Sequence, residues 1–94
     1  MASVSTSWGT SSNPGITVHI SGLQYPAKDY SNFRTVVYQG GVVVNTRSWT
    51  YYSSGTSASF YVGTDGIEDN GKAINVIQYA TISGTEYLIG SASA

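Results

Sequence analysis

Ninety-four residues make one domain, large enough to bury roughly two thirds of the surface its unfolded chain exposes and so to fold without disulfides or metals. Cysteine is absent, which excludes a disulfide framework and a cysteine-based zinc site. With four Lys and Arg against five Asp and Glu, the formal net charge is −1, and four scattered cations cannot build the phosphate-neutralising stripe of a nucleic-acid binder.

The chain opens on "MASVSTSW", which has no basic segment followed by an apolar run. No later stretch approaches the roughly 18 apolar residues of a spanning helix, so membrane insertion is not expected. Residues 3–8 alternate Val4, Thr6 and Trp8 and predict a first strand, ended by the loop "GTSSNPG". Residues 16–21 alternate strictly, with Ile16, Val18 and Ile20 on one face and Thr17, His19 and Ser21 on the other, the pattern of a half-buried strand. The segment "GLQYPAKDYSN" then reads as a crossing loop. Residues 33–38 and 42–50 flank Gly40-Gly41 as a hairpin, "SSGT" turns the chain into a strand at 58–62, and "GTDGIEDNG" is a polar loop. A final hairpin joins 72–82 to 86–92 around Ser83-Gly84-Thr85. No window carries apolar residues at helical spacing for three turns. Seven short strands with turns at this spacing predict an all-β, two-sheet antiparallel sandwich of immunoglobulin-like size.

The first hairpin admits two registers. A two-residue Gly40-Gly41 loop sets Val37 opposite Val44 and Arg34 opposite Arg47, a like-charge pairing that costs energy. A three-residue loop sets Arg34 opposite Thr46 and Phe33 opposite Arg47, and a one-residue slip exchanges the faces of the whole strand.

"ITVHISGL", "FRTVVYQGGVVVNTRSW" and "INVIQYATISGTEYLIGSA" resemble, in turn, the second strand, the C and C′ pair and the closing F and G hairpin of bacterial immunoglobulin-like and fibronectin type III-like β-sandwich accessory modules. The resemblance spans most of the chain, although the cysteine pair of antibody domains is missing and "GTDGIEDNG" stands where a leucine, proline and tyrosine pattern is expected before strand F. It implies a seven-stranded sandwich in a secreted or surface-displayed bacterial or phage protein, with an extracellular or cell-surface location. It implies a non-catalytic role beside neighbouring domains: binding a polysaccharide or another surface, or spacing those domains apart. The low charge and abundant hydroxyls agree with that setting, and the chain reads as one module of a longer protein.

Reactive groups are too sparse to suggest an enzyme. His19 is the one histidine and sits mid-strand on the polar face, where a solvated role is expected and no serine nucleophile is evident. One histidine without cysteine cannot hold zinc, and no cofactor is expected; Asp65, Glu68 and Asp69, in a Gly-rich loop, offer oxygens of the kind Ca²⁺ prefers, without EF-hand spacing. Paired carboxylates for glycoside hydrolysis would need an apolar cleft that nothing here indicates.

The aromatic residues are the remaining signal. Arg47, Trp49 and Tyr51 share one face of their strand and Tyr52 the other, so an outward-facing set would form a row suited to the C–H faces of sugar rings. Tyr25 and Tyr30 from the crossing loop would add a second contact. The opposing expectation is that Trp49 and Trp8 pack inward, as large residues on sandwich strands usually do. A third reading is self-assembly: "VVVNT" is uncharged and free of proline, so at a sheet edge it could pair with another chain.

Overall fold

The computed structural model describes residues 2–10 and 12–94. Seven strands follow in chain order: β1 (Ser3–Thr10), β2 (Asn13–Ser21), β3 (Asn32–Gln39), β4 (Val42–Trp49), β5 (Ala58–Gly63), β6 (Ile74–Ile82) and β7 (Thr85–Ser93). One short 3₁₀ turn, Ala27–Asp29, interrupts the segment between β2 and β3. The strands form two antiparallel sheets, ordered β1-β2-β5 and β4-β3-β6-β7, so the chain is all-β. No helix among the described residues is long and apolar enough to cross a membrane.

Strict alternation explains the three-stranded sheet. Ile16, Val18 and Ile20 of β2 are buried together with Ala58, Phe60 and Val62 of β5. On the opposite face, Ser3, Ser5 and Ser7 align with Ser21, His19 and Thr17, so that face is almost wholly hydroxylated. β2 begins earlier than the alternation predicts, because Gly15 continues the strand at a φ of +132° where it presses against Gly63. A side chain at Gly15 would overlap the Gly63 backbone, so glycine is required at this crossing. Ser11, within the predicted loop between β1 and β2, lies outside the described residues.

The core has two halves. An aromatic half gathers Phe33, Phe60, Tyr30, Leu23 and Ile20, with Trp49 and Tyr51 packed against it. An aliphatic half gathers Ile16, Val18, Val37, Val62 and Val76. Between Phe33 and Val37 on β3 lies Thr35, whose cross-strand partner on β6 is Gln78; both are fully buried. Thr35 Oγ1 donates to Gln78 Oε1 at 2.6 Å and accepts from Trp49 Nε1 at 3.3 Å, while Gln78 Nε2 donates to the Tyr79 carbonyl at 3.0 Å. A buried amide and hydroxyl are tolerated because each finds a partner.

The first hairpin follows neither straight register. Gln39 pairs with Val42 across a two-residue Gly40-Gly41 turn, as the shorter loop predicts, but a β-bulge at Val44 then shifts the ladder by one. Arg34 consequently faces Ser48 and Thr35 faces Arg47, which removes the arginine–arginine pairing. β4 is an edge strand, with Val42 and Val43 exposed and the bulge carbonyl of Val44 so close to Gly66 that any side chain there would overlap it. On the opposite side, β1 meets β7: Thr6 Oγ1 donates to the Ser93 carbonyl at 2.8 Å, and Val4 covers Gly90.

Candidate functional site

The predicted aromatic row is turned inward. Trp49 is the cross-strand partner of fully buried Phe33 and so shares its face. Its ring stacks on Phe60 at 5.4 Å with an interplanar angle of 14°, and Tyr51 meets the same phenylalanine edge-on at 5.5 Å. Trp49 and Tyr51 therefore close the aromatic half of the core rather than form a solvent-facing platform. Arg47 lies 5.9 Å from the centre of the Trp49 ring and pairs with Asp65. Tyr52 falls past the end of β4 and is 87% exposed. Tyr30 is buried, with its ring 5.3 Å from Phe33, and Tyr25 is exposed.

Tyr25 belongs to an open groove of about 1170 Å³ at the end of the sandwich where segment 22–31 meets the β6–β7 turn; Leu23, Asp29, Tyr87, Leu88 and Ile89 also line it. One wall is fixed by main-chain bonds to the β4–β5 connection: Leu23 N to Thr56 O at 3.0 Å, Ala27 N to Gly55 O at 2.9 Å and Lys28 N to Ser53 O at 3.0 Å. These bonds satisfy a loop that would otherwise leave its amides unpaired. The other wall depends on a second bulge. Gln78 pairs with Gly90 and Tyr79 with Leu88, so Ile89 is the extra residue and packs on the core while Leu88 is left exposed. Beyond it, Ser83 and Gly84 turn the hairpin with φ values of 53° and 77°. Tyr25 and Tyr87 thus stand half-exposed in one groove, whose sole charged lining residue among the described residues is Asp29.

Sequence reasoning finds Tyr25 but misses Tyr87 and Leu88, because two adjacent apolar residues on a strand give no sign of which faces outward without the bulge. Two such rings, each burying on the order of 80 Å², contribute about 4 kcal/mol together, the free energy of millimolar binding. The tyrosine hydroxyls and the Gln24 amide, which reaches Tyr25 Oη at 3.4 Å, add polar contacts at the rim.

The expected calcium ligands do not converge. Asp65 is taken by Arg47, Glu68 Oε2 accepts from Asn70 Nδ2 at 3.4 Å, and no three His, Cys, Asp or Glu side chains gather as a metal-holding group among the described residues. Their loop is organised by Gln39, whose amide donates to the Glu68 carbonyl at 2.7 Å and to Asn70 Oδ1 at 3.0 Å and accepts from the Glu68 amide at 2.9 Å.

His19 is on the outer face as the alternation predicts, but it is bracketed. Ser7 Oγ lies 2.8 Å from Nε2 and Ser59 Oγ 3.0 Å from Nδ1, across three strands. This triplet spans the outer face of the three-stranded sheet. On the outer face of the other sheet, Arg34 lies over the Tyr79 ring at 4.3 Å and bonds Glu86 in two places at 2.9 Å. The bond from Arg34 holds the Glu86 carboxyl below the usual carboxylate range, and the same bond raises the guanidinium. No protein-family model, curated protein or solved structure matches the chain.

Proposed function

We propose that the chain is a non-catalytic, immunoglobulin-like or fibronectin type III-like module of a secreted or surface-displayed protein, and that it binds a carbohydrate through the groove holding Tyr25 and Tyr87. The sheet order supports the architecture: β4 lies beside β3 rather than β5, the arrangement of a C′ strand in a sandwich whose sheets are A-B-E and C′-C-F-G. The observation that carries the binding reading is the pair of half-exposed tyrosine rings in one groove whose walls are pinned by main-chain bonds and a bulge. Flat rings with hydroxyl edges suit the apolar faces and equatorial hydroxyls of sugars. Walls held in place before the ligand arrives reduce the ordering cost of binding.

A polysaccharide pull-down combined with a glycan array tests this. The wild-type chain is retained by at least one glycan, and Tyr25→Ala or Tyr87→Ala weakens retention by about 30-fold, the equivalent of about 2 kcal/mol, without lowering the melting temperature. A wild-type chain that no glycan retains would refute the proposal, as would a Tyr25→Ala/Tyr87→Ala chain that binds unchanged.

A further inference from the structure

A second hollow, of about 430 Å³, opens at the opposite end of the sandwich; Trp8, Ile67, Glu68, Asp69, Lys72 and Ile74 are among its walls. Trp8 follows Val4 and Thr6 on the inward register of β1, opposite fully buried Ile16, yet it remains 50% exposed. A tryptophan whose inward position is left half uncovered presents an indole surface to the hollow. Ile67 and Ile74 supply apolar wall beside it.

The distribution of charge identifies what such a surface would take. Arg34 is paired with Glu86 and Arg47 with Asp65, so both arginines and two of the five acids are matched. Lys28 and Asp29 are neighbours in the segment between β2 and β3, at the far end, and cancel. What remains is Glu68, Asp69 and Lys72, two negative and one positive, which is the whole formal net charge of −1, and all three line this hollow. Among the described residues Lys72 makes no ion pair with either carboxylate. Its stem lies against Gly40, while its backbone amide donates to Asn70 Oδ1 at 3.0 Å.

The backbone that carries the carboxylates is also held in place. Gln39, itself buried, clamps both backbone groups of Glu68 and the side chain of Asn70, so the loop that presents the two acids is bonded to β3 at its centre. Little ordering of that backbone is therefore left for a ligand to impose.

We propose that this hollow binds an alkylammonium group, seated against the indole of Trp8 and neutralised by Glu68 and Asp69. Tryptophan is the best aromatic partner for an organic cation, and methylene or methyl groups on the nitrogen match the isoleucine wall. An inorganic cation would lack that apolar complement. This site is separate from the tyrosine groove and does not depend on it.

The test uses the wild-type chain labelled with ¹⁵N and titrated with tetramethylammonium chloride. The two indole N–H signals are assigned with Trp8→Phe, and the Trp8 signal is expected to move saturably with a midpoint on the order of millimolar, while the Trp49 signal stays in place. Sodium chloride at equal ionic strength and neutral tert-butanol at equal concentration leave both unmoved. Glu68→Gln/Asp69→Asn weakens the response about tenfold or more. An absent or non-saturating shift would overturn the proposal, as would an equal shift from either control or an undiminished response in the double variant.

Discussion

The aromatic and aliphatic halves of the core are built by the same strands and share the Thr35–Gln78 seam, yet they are closed differently. At the aromatic end, Trp49 and Tyr51 fold over Phe60, and segment 22–31 is bonded down beside them. At the aliphatic end, small β-branched side chains fill the middle and Trp8 is left as a partly bare wall. The difference shows that inward register is not burial. A residue on the inner face is covered only where a loop crosses it, and the loop between β5 and β6, residues 64–73, walls the hollow beside Trp8 and leaves the ring 50% exposed.

The contrast can be broken most forcefully at Phe60, which touches three other aromatic rings. Phe60→Ala is expected to cost about 3–5 kcal/mol in urea unfolding, whereas Val62→Ala, its neighbour in the aliphatic half, costs about 2 kcal/mol from two lost methyl groups plus a small cavity. Equal losses would mean that the two halves do not differ in packing. The seam between them comes next. Gln78→Met leaves the Thr35 hydroxyl without its acceptor and costs about 1–3 kcal/mol, and Thr35→Val/Gln78→Met costs less than the sum of the single variants because both unpaired groups disappear. Additive losses would show that the two side chains do not act as a pair.

The smallest effect belongs to Glu86, on the outer face and outside both halves. Because Arg34 lowers its pKa in the folded chain, its contribution to stability is complete above the ordinary carboxylate value of 4.5 and is lost as pH falls through the lowered value. The gap in melting temperature between wild type and Glu86→Gln is therefore present at pH 7 and closes in acid. A gap that widens on acidification would reverse the sign of this linkage.

The strands were legible because period-two alternation is strong in β2 and turn residues punctuate the rest. The hairpin register was not: Val42, Val43 and Val44 are chemically identical, so the pattern carries no mark of which one is extra. The same gap left open which way the candidate row faces. Once the bulge is placed, Trp49 shares a face with Phe33, and Trp49 and Tyr51, both partly buried, pack against the core while Arg47 stays at its margin. Tyr25 was legible as a loop aromatic, but its companion Tyr87 depends on a bulge at Ile89 and on a long-range approach between two loops, neither of which local spacing encodes. Trp8 was missed in the opposite sense, since alternation gave its side but could not reveal that half of the ring stays exposed.

The bulge at Val44 also interrupts the exposed edge of the four-stranded sheet. A flat valine-rich margin would let one copy dock its main chain alongside the next and extend into a ribbon. Here the margin is kinked midway, and Gly66 lies flush over the Val44 carbonyl, so that an incoming strand would find its hydrogen-bonding partner already roofed over. A side chain at position 66 would lift that roof, and colloidal behaviour at high concentration would then report on a single missing methyl-sized gap.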